Sequence, residues 1–161
     1  MTSQPRLPLL LLVGLSVTSL LISSGCQSIP NVDDHFSKSD PLETVRYFRY
    51  AIDASEFDKA YQCMTENTQQ QISPLQFKAL IRFVDVPELG DIGLRDLIVN
   101  SSIDPQSEPV RGEDFSRWIT LIWEDPSQLI EYSLKITLGE DQTWNIDMLS
   151  TRGLDLGGPA S

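Results

Sequence analysis

From residue 40 onward the apolar residues of this chain change their spacing once, near residue 85, and that change limits the folds open to it. Before it they recur every three or four residues, as in an amphipathic helix, and after it they alternate with polar residues, as in a half-buried strand. The alternation is clearest from Gln128 to Leu138, where Ile130, Tyr132 and Leu134 share one face. Helices followed by a run of strands predict an α+β domain with an antiparallel sheet.

Three helices are predicted before the change of spacing. Asp40-Pro41 supplies an N-cap residue and a first-turn proline, the second helical pattern begins at Phe57, and Ser73-Pro74 repeats the cap signal. Four strands are predicted after it, at residues 94–103, 115–124, 128–138 and 144–148. The acidic, proline-containing stretch 104–114 is predicted to connect the first two strands.

Local composition divides the chain into four segments. Residues 1–25 are predicted to be a signal peptide, 26–39 a flexible polar spacer that begins at Cys26, 40–150 the folded domain and 151–161 a disordered glycine-rich tail. The predicted domain of 111 residues is long enough to bury one core.

The N-terminal segment carries a sorting signal. Its apolar run, Leu7 to Ile22, spans 16 residues, fewer than the roughly 20 that a membrane-spanning helix needs, and small residues follow it. Ser23-Ser24-Gly25-Cys26 resembles the lipobox of bacterial lipoproteins, with Ser23 where leucine is commonest. The resemblance implies cleavage between Gly25 and Cys26 and a lipid anchor on Cys26. The alternative is an ordinary signal peptide that is cut elsewhere, with Cys26 incidental.

The lipobox resemblance also implies where the protein acts. A lipidated Cys26 would hold the mature chain to a membrane of the bacterial cell envelope. Gln27 follows it where aspartate is the usual inner-membrane retention signal, so the outer membrane is favoured. Residues 1–25 contain Arg6 and no acid. The mature chain without them has 11 basic and 23 acidic residues, which gives it a formal charge of −12. Such a surface repels anionic lipid headgroups and nucleic acid, so no nucleic-acid partner is expected.

The inventory of reactive side chains is small. If Cys26 is lipidated, Cys63 has no cysteine partner, and its place in a helical apolar pattern predicts a buried thiol. His35, the one histidine, falls in the predicted spacer, which argues against cysteine-protease chemistry and a Cys/His metal site. The chain has no phosphate-binding glycine loop either, and we expect no cofactor or metal.

The folded segment resembles the NTF2-like (SnoaL/cystatin-like) superfamily. The stretches that carry the resemblance are residues 40–48, 57–64 and 73–77 and the closing strand at 144–146. It implies three helices packed on a strongly curved sheet, forming a cone whose mouth can hold a ligand. The candidates to line such a pocket are Tyr47, Tyr61, Arg117, Tyr132 and Trp144. The competing interpretation is that the aromatic ones fill the cone as core and that Arg117 extends its head to solvent.

Enzymes of that superfamily need a carboxylate or histidine in the pocket as a base. The core-facing phase of the last three predicted strands carries no carboxylate, and Asp96 is the one strand acid left unplaced. No catalytic residue is therefore predicted. We expect a membrane-tethered, non-catalytic interaction or accessory domain, which contacts an envelope protein through a sheet face or the 104–114 stretch. The alternatives are a carrier or sensor of a small apolar ligand and, third, an isomerase-like enzyme using Asp96.

Overall fold

The structure is a computed structural model that describes residues 31–86 and 92–154. Within those residues a 3-10 turn at Val32–Asp34 precedes five helices: α1 Pro41–Asp53, α2 Phe57–Gln62, α3 Glu66–Gln71, α4 Pro74–Phe83 and α5 Leu94–Asn100. Four strands follow: β1 Ser102–Val110, β2 Glu113–Glu124, β3 Leu129–Leu138 and β4 Trp144–Arg152. The predicted signal peptide, its predicted cleavage site at Gly25, the predicted lipidation site Cys26 and residues 155–161 lie outside the described residues.

The strands form one antiparallel sheet in the order β1-β2-β3-β4, each paired with its neighbour in sequence. The sheet is open, with β1 and β4 at its two edges. Every strand comes after every helix in the chain. The predicted α+β class and antiparallel meander are therefore confirmed.

Two of the predicted helix starts have the expected capping chemistry. Asp40 accepts a hydrogen bond from the Glu43 amide at 2.9 Å, ahead of Pro41 in the first turn of α1. Ser73 and Gln76 form a reciprocal capping box at the start of α4. These side chains satisfy amides that have no partner within the helix.

One hydrophobic core joins the helices to one face of the sheet. Phe48 and Ile52 of α1 and Phe77 of α4 are fully buried, as are Ile119 of β2 and Ile136 of β3. The helical apolar stripes supply one side of this core, and alternate strand residues supply the other. The predicted periodicity therefore selects the buried faces of both layers.

The helix count differs from the prediction in two places. Residues 66–71, Glu-Asn-Thr-Gln-Gln-Gln, form α3 although they carry no apolar stripe, because Thr65 caps them and the buried Thr68 attaches them to the core. Residues 94–100 were predicted to begin the first strand, and they form α5 instead. Leu94, Leu97 and Ile98 are buried at helical spacing, but the short apolar run Leu97-Ile98-Val99 is compatible with a helix or a strand. The prediction of three helices is therefore wrong.

The acidic stretch 104–114 is not a connecting loop. Most of it belongs to β1, and the chain turns at Arg111-Gly112 into β2. Register shifts interrupt the ladder where Asp104, Pro105 and Gln106 lie, an arrangement typical of an edge strand that contains proline. Phe115, expected to face the core, is 67% exposed near the start of β2.

Both ends of the domain extend beyond their predicted limits. Val32 is fully buried and Phe36 packs against the core, so residues 31–39 lie on the domain and do not form the predicted flexible spacer. At the other end β4 continues to Arg152, and Leu154 is buried, so the predicted disordered tail does not begin at residue 151. The physical reason is burial of apolar side chains inside segments that are polar on average.

Candidate functional site

The three tyrosines predicted to line a pocket have hydroxyls bonded to protein groups. The Tyr47 hydroxyl donates to Asp33 Oδ1 at 2.6 Å, and the Tyr61 hydroxyl donates to the carbonyls of Gln69 and Ile72. The Tyr132 hydroxyl donates to Ser101 Oγ at 3.3 Å, and burial raises the pKa of Tyr132 to about 12. This bonding favours the interpretation that they are core residues.

The other two predicted site residues lie apart from one another. Trp144 packs partly buried against the core at the start of β4, and its amide donates to the Lys38 carbonyl at 3.1 Å. Arg117 in β2 donates to the carbonyls of Asp114 and Ser116, close along its own strand. None of the five predicted residues lines any of the three clefts described below.

Asp96, the carboxylate required by an isomerase-like enzyme, lies in the first turn of α5. Its side chain is 61% exposed, and Oδ1 lies 3.3 Å from Arg95 Nη1. A general base of that superfamily type needs an enclosed apolar pocket that raises its pKa. The position of Asp96 does not provide one.

The candidate functional site is a cleft of about 400 Å³ beside α1, called the α1 cleft below. It is lined by three apolar or aromatic side chains, one carboxylate and two guanidinium groups: Phe36, Tyr50, Val99, Asp53, Arg46 and Arg49. The four lining residues from α1 recur at spacings of three and four and therefore share one face of that helix. Phe36 comes from the segment after the 3-10 turn, and Val99 comes from α5.

Arg49 has the most constrained environment in the α1 cleft. Its Nη2 donates to the Val99 carbonyl at 2.6 Å and so links α1 to α5. Its Nε is buried and has no hydrogen-bond partner among the described residues. Burial lowers the pKa of the Arg49 guanidinium, against the opposing effects of Tyr132 and Asp53. A desolvated N–H donor of a cation favours an acceptor that carries negative charge.

The rim of the α1 cleft carries paired charges and stacked rings. Arg46 Nη1 lies 2.5 Å from Glu43 Oε1, and Asp53 Oδ1 lies 3.2 Å from Arg95 Nη2. The Phe36 and Tyr50 rings meet edge to face with centroids 5.5 Å apart. Aromatic surface beside a partly desolvated cation suits a ligand that combines an apolar group with a carboxylate.

Sequence patterns indicate the α1 residues of this site but not the residues from other segments. The α1 face with Arg46, Arg49, Tyr50 and Asp53 is readable from helical spacing, opposite the apolar stripe. The sequence predicts a spacer at Phe36 and a strand at Val99, so it does not indicate the two side chains that complete the walls of the cleft. No sequence signal joins Phe36 to α1, because their contact is tertiary.

Two further clefts lie elsewhere on the described surface. One, of about 570 Å³, is lined by polar residues that include Thr65, Gln69, Asp141 and Asn145. The other, of about 280 Å³, is lined by residues 55–59 of the α1–α2 connection and α2, together with Lys78 of α4. The described residues contain no group of three metal-ligating side chains and no helix long and apolar enough to cross a membrane.

Comparison with known proteins gives no further assignment: no protein-family model, curated protein or solved structure matches the chain.

Proposed function

We propose that this chain is a lipid-anchored, non-catalytic interaction domain of the bacterial cell envelope, and that the α1 cleft is its binding site. The buried, unpartnered Nε of Arg49 beside the Phe36–Tyr50 ring pair carries the proposal. The partner is an envelope protein that presents an apolar side chain next to a carboxylate. The carboxylate supplies an acceptor for the guanidinium groups, and the apolar side chain covers the rings.

Several features support a binding role over a catalytic one. Asp96 is exposed and paired, and Cys63 is fully buried with its thiol donating to the Lys59 carbonyl. Burial raises the pKa of the Cys63 thiol to about 12, whereas a nucleophilic thiol needs a lowered pKa. The carrier alternative is less well supported, because Tyr47, Tyr61 and Tyr132 bond protein groups and lie in or against the core.

We infer an NTF2-like domain with a bent sheet, supported by the order of helices before an antiparallel meander and by contacts of α1 with β1, β2 and β4. The two additional helices, α3 and α5, are departures from the three-helix pattern. An experimental structure with a flat sheet would contradict this assignment.

The binding site can be tested by site-specific photo-cross-linking in intact cells. A benzoylphenylalanine in place of Tyr50 is expected to capture an envelope protein, whereas the same probe at exposed Gln106 is not. Arg46→Glu should lower the yield at position 50 about tenfold or more, since it reverses one charge that faces the partner carboxylate. Arg111→Glu is the matched control, because it makes the same change in the exposed β1–β2 turn. No adduct at position 50, or a yield unaffected by Arg46→Glu, would refute the assignment.

The anchor requires a separate test. Cys26→Ser is expected to leave an unmodified precursor that is not cleaved after Gly25, because the thiol that accepts the diacylglycerol is gone. Metabolic labelling with a palmitate analogue, read together with electrophoretic mobility, measures both effects. A Cys26→Ser protein that is still cut and labelled would refute the lipid anchor and leave the α1 cleft untouched.

A further inference from the structure

Helix α4 presents an apolar face to solvent as well as one to the core. Phe77 and Ile81 are buried, yet Leu75 is 78% exposed and Phe83 is 75% exposed. Leu75, Ala79 and Phe83 recur at intervals of four, so they share the side of the helix that points away from the core. Covering two large exposed apolar side chains on one helix face is favourable, and such a face often marks an interaction site.

The charges on this face are basic, unlike those of the chain as a whole. Lys78 and Arg82 are the only charged residues of α4, in a protein with a formal charge of −11. Neither forms an ion pair with any residue of the described ranges; Lys78 lies over the Phe57 ring and Arg82 over the Phe83 ring. Their cationic groups therefore remain available to an external anion. Acidic residues bound this basic area on two sides: Asp85 follows the helix, and Glu56 and Asp58 line the neighbouring cleft together with Lys78.

The start of the described chain lies on the same side of the molecule as α4. The Asn31 side chain accepts a hydrogen bond from Lys59 Nζ, and Lys59 lines the 280 Å³ cleft together with Lys78. Only five residue steps separate Cys26 from Asn31, a reach of about 17 Å at full extension. A lipid on Cys26 would therefore hold the bilayer close to Asn31 and to the neighbouring α4.

We propose that the outer face of α4 docks on the membrane surface, with Leu75 and Phe83 in the interfacial layer and Lys78 and Arg82 on anionic phospholipid headgroups. Basic residues that flank bulky apolar ones are the composition that binds helices in the plane of a bilayer. The short tether raises the local concentration of lipid at this face, so a few contacts suffice. The acidic remainder of the domain is repelled from the same surface, which orients the α1 cleft for a partner.

This inference rests on the proposed lipid anchor, and its test separates the two. The mature lipidated protein, which begins at Cys26, is reconstituted into vesicles of phosphatidylethanolamine with and without phosphatidylglycerol. A spin label is placed on Ala79→Cys or, as the control position, on Gln106→Cys. Cys63 is buried and Cys26 is alkylated by the lipid, so the introduced cysteine is the reactive one. Accessibility of the label to a water-soluble paramagnetic quencher is then measured.

The label at position 79 is expected to lose aqueous accessibility in vesicles that contain phosphatidylglycerol, whereas the label at position 106 keeps it. Arg82→Glu should restore accessibility at position 79, and Arg111→Glu, the same charge reversal in the β1–β2 turn, should not. Equal accessibility at both positions in protein that floats with the vesicles would overturn the docking while leaving the anchor intact.

Failure to float would refute the anchor itself and overturn the docking with it. Dipolar broadening of the label at position 79 in vesicles, lost on dilution with unlabelled protein, would assign the face to a second copy of the chain. Shielding in native membranes but not in pure lipid would assign it to a protein partner. Either result would overturn membrane docking.

Discussion

The Tyr47 hydroxyl donates a 2.6 Å hydrogen bond to Asp33 Oδ1, which ties the middle of α1 to a residue 14 positions earlier in the chain. Lys59 Nζ of α2 lies 2.9 Å from the other oxygen of the same carboxylate. With Val32 fully buried beside it, this contact holds the 31–36 segment against the helices. The segment that would lead to the anchor is therefore part of the domain, which shortens the tether and places Phe36 in the α1 cleft.

Tyr47→Phe is expected to destabilise the protein by about 1 kcal/mol, because it removes one hydrogen bond to an exposed carboxylate. Urea denaturation measures the change. Asp33→Asn serves as the second arm of a double-mutant cycle, and a coupling energy of zero between the two changes would contradict the contact.

The same hydrogen bond should affect how the stability of the protein changes at acidic pH. The Tyr47 hydrogen bond, and then Lys59, holds the pKa of Asp33 below its usual 3.8. A carboxyl whose pKa is lower in the folded state contributes stability above its unfolded pKa and loses it as the pH falls further. The wild type should therefore lose more stability below about pH 4 than Tyr47→Phe does. Identical acid profiles would show that the bond does not affect Asp33.

Cys63 should be unreactive in the folded protein. Its thiol donates to the Lys59 carbonyl at 3.3 Å, and burial raises its pKa to about 12. In Cys26→Ser protein, where Cys63 is the only thiol, we expect no reaction with a disulfide reagent at neutral pH and full reaction in guanidinium chloride. Rapid labelling of folded protein would contradict the burial.

The raised pKa of the Cys63 thiol should also make the folded protein less stable at alkaline pH. A thiol whose pKa is higher in the folded state contributes stability below its unfolded pKa, near 9, and loses it as the pH rises towards 12. Cys63→Ala should therefore lose less stability than the wild type over that interval. Thermal unfolding followed at a series of pH values measures the difference, and parallel curves would count against it.

Gly153 and Gly112 form a matched pair for testing the C-terminal boundary of the domain. Both have positive φ, but a Cβ at Gly153 would clash with the Glu131 carbonyl oxygen, whereas one at Gly112 meets open space. Gly112→Ala should lower the free energy of unfolding by about 1–2 kcal/mol from backbone conformation alone. Gly153→Ala should lower it by roughly 3 kcal/mol or more, because the clash is added. Equal denaturation midpoints would show that residue 153 is not packed on β3.

The contact between Arg152 and Trp118 allows the packing on the outer side of the sheet to be tested. The Arg152 guanidinium carbon lies 4.1 Å from the centroid of the Trp118 ring, which is only 8% exposed. Arg152→Ala should cost about 0.5–1 kcal/mol and increase quenching of tryptophan fluorescence by acrylamide. Glu108→Gln removes the 3.6 Å ion pair of Arg152 but leaves the stack, so it is expected to leave the quenching unchanged. Equal quenching in Arg152→Ala and wild type would contradict the stack.

The sequence predicted the parts of the fold that depend on local order. Asp40 and Ser73 cap helices because their side chains reach amides three residues ahead, and Gln128 to Leu138 alternates because successive strand residues face opposite sides. The leucines and isoleucine of 94–100 could not be assigned in the same way. The apolar run Leu97-Ile98-Val99 is too short for its periodicity to distinguish a helix from a buried strand.

By itself, then, the sequence determined the α+β class, the helix caps, the antiparallel meander and the buried Cys63. Tertiary structure alone decided that residues 31–36 pack on the domain, that Arg49 reaches the Val99 carbonyl and that α4 keeps Leu75 and Phe83 in solvent. Local propensity and periodicity act over a few residues and can be read along the chain. Which apolar stripe is covered, and which cation is desolvated, depends on contacts between segments far apart in sequence, and only folding specifies them.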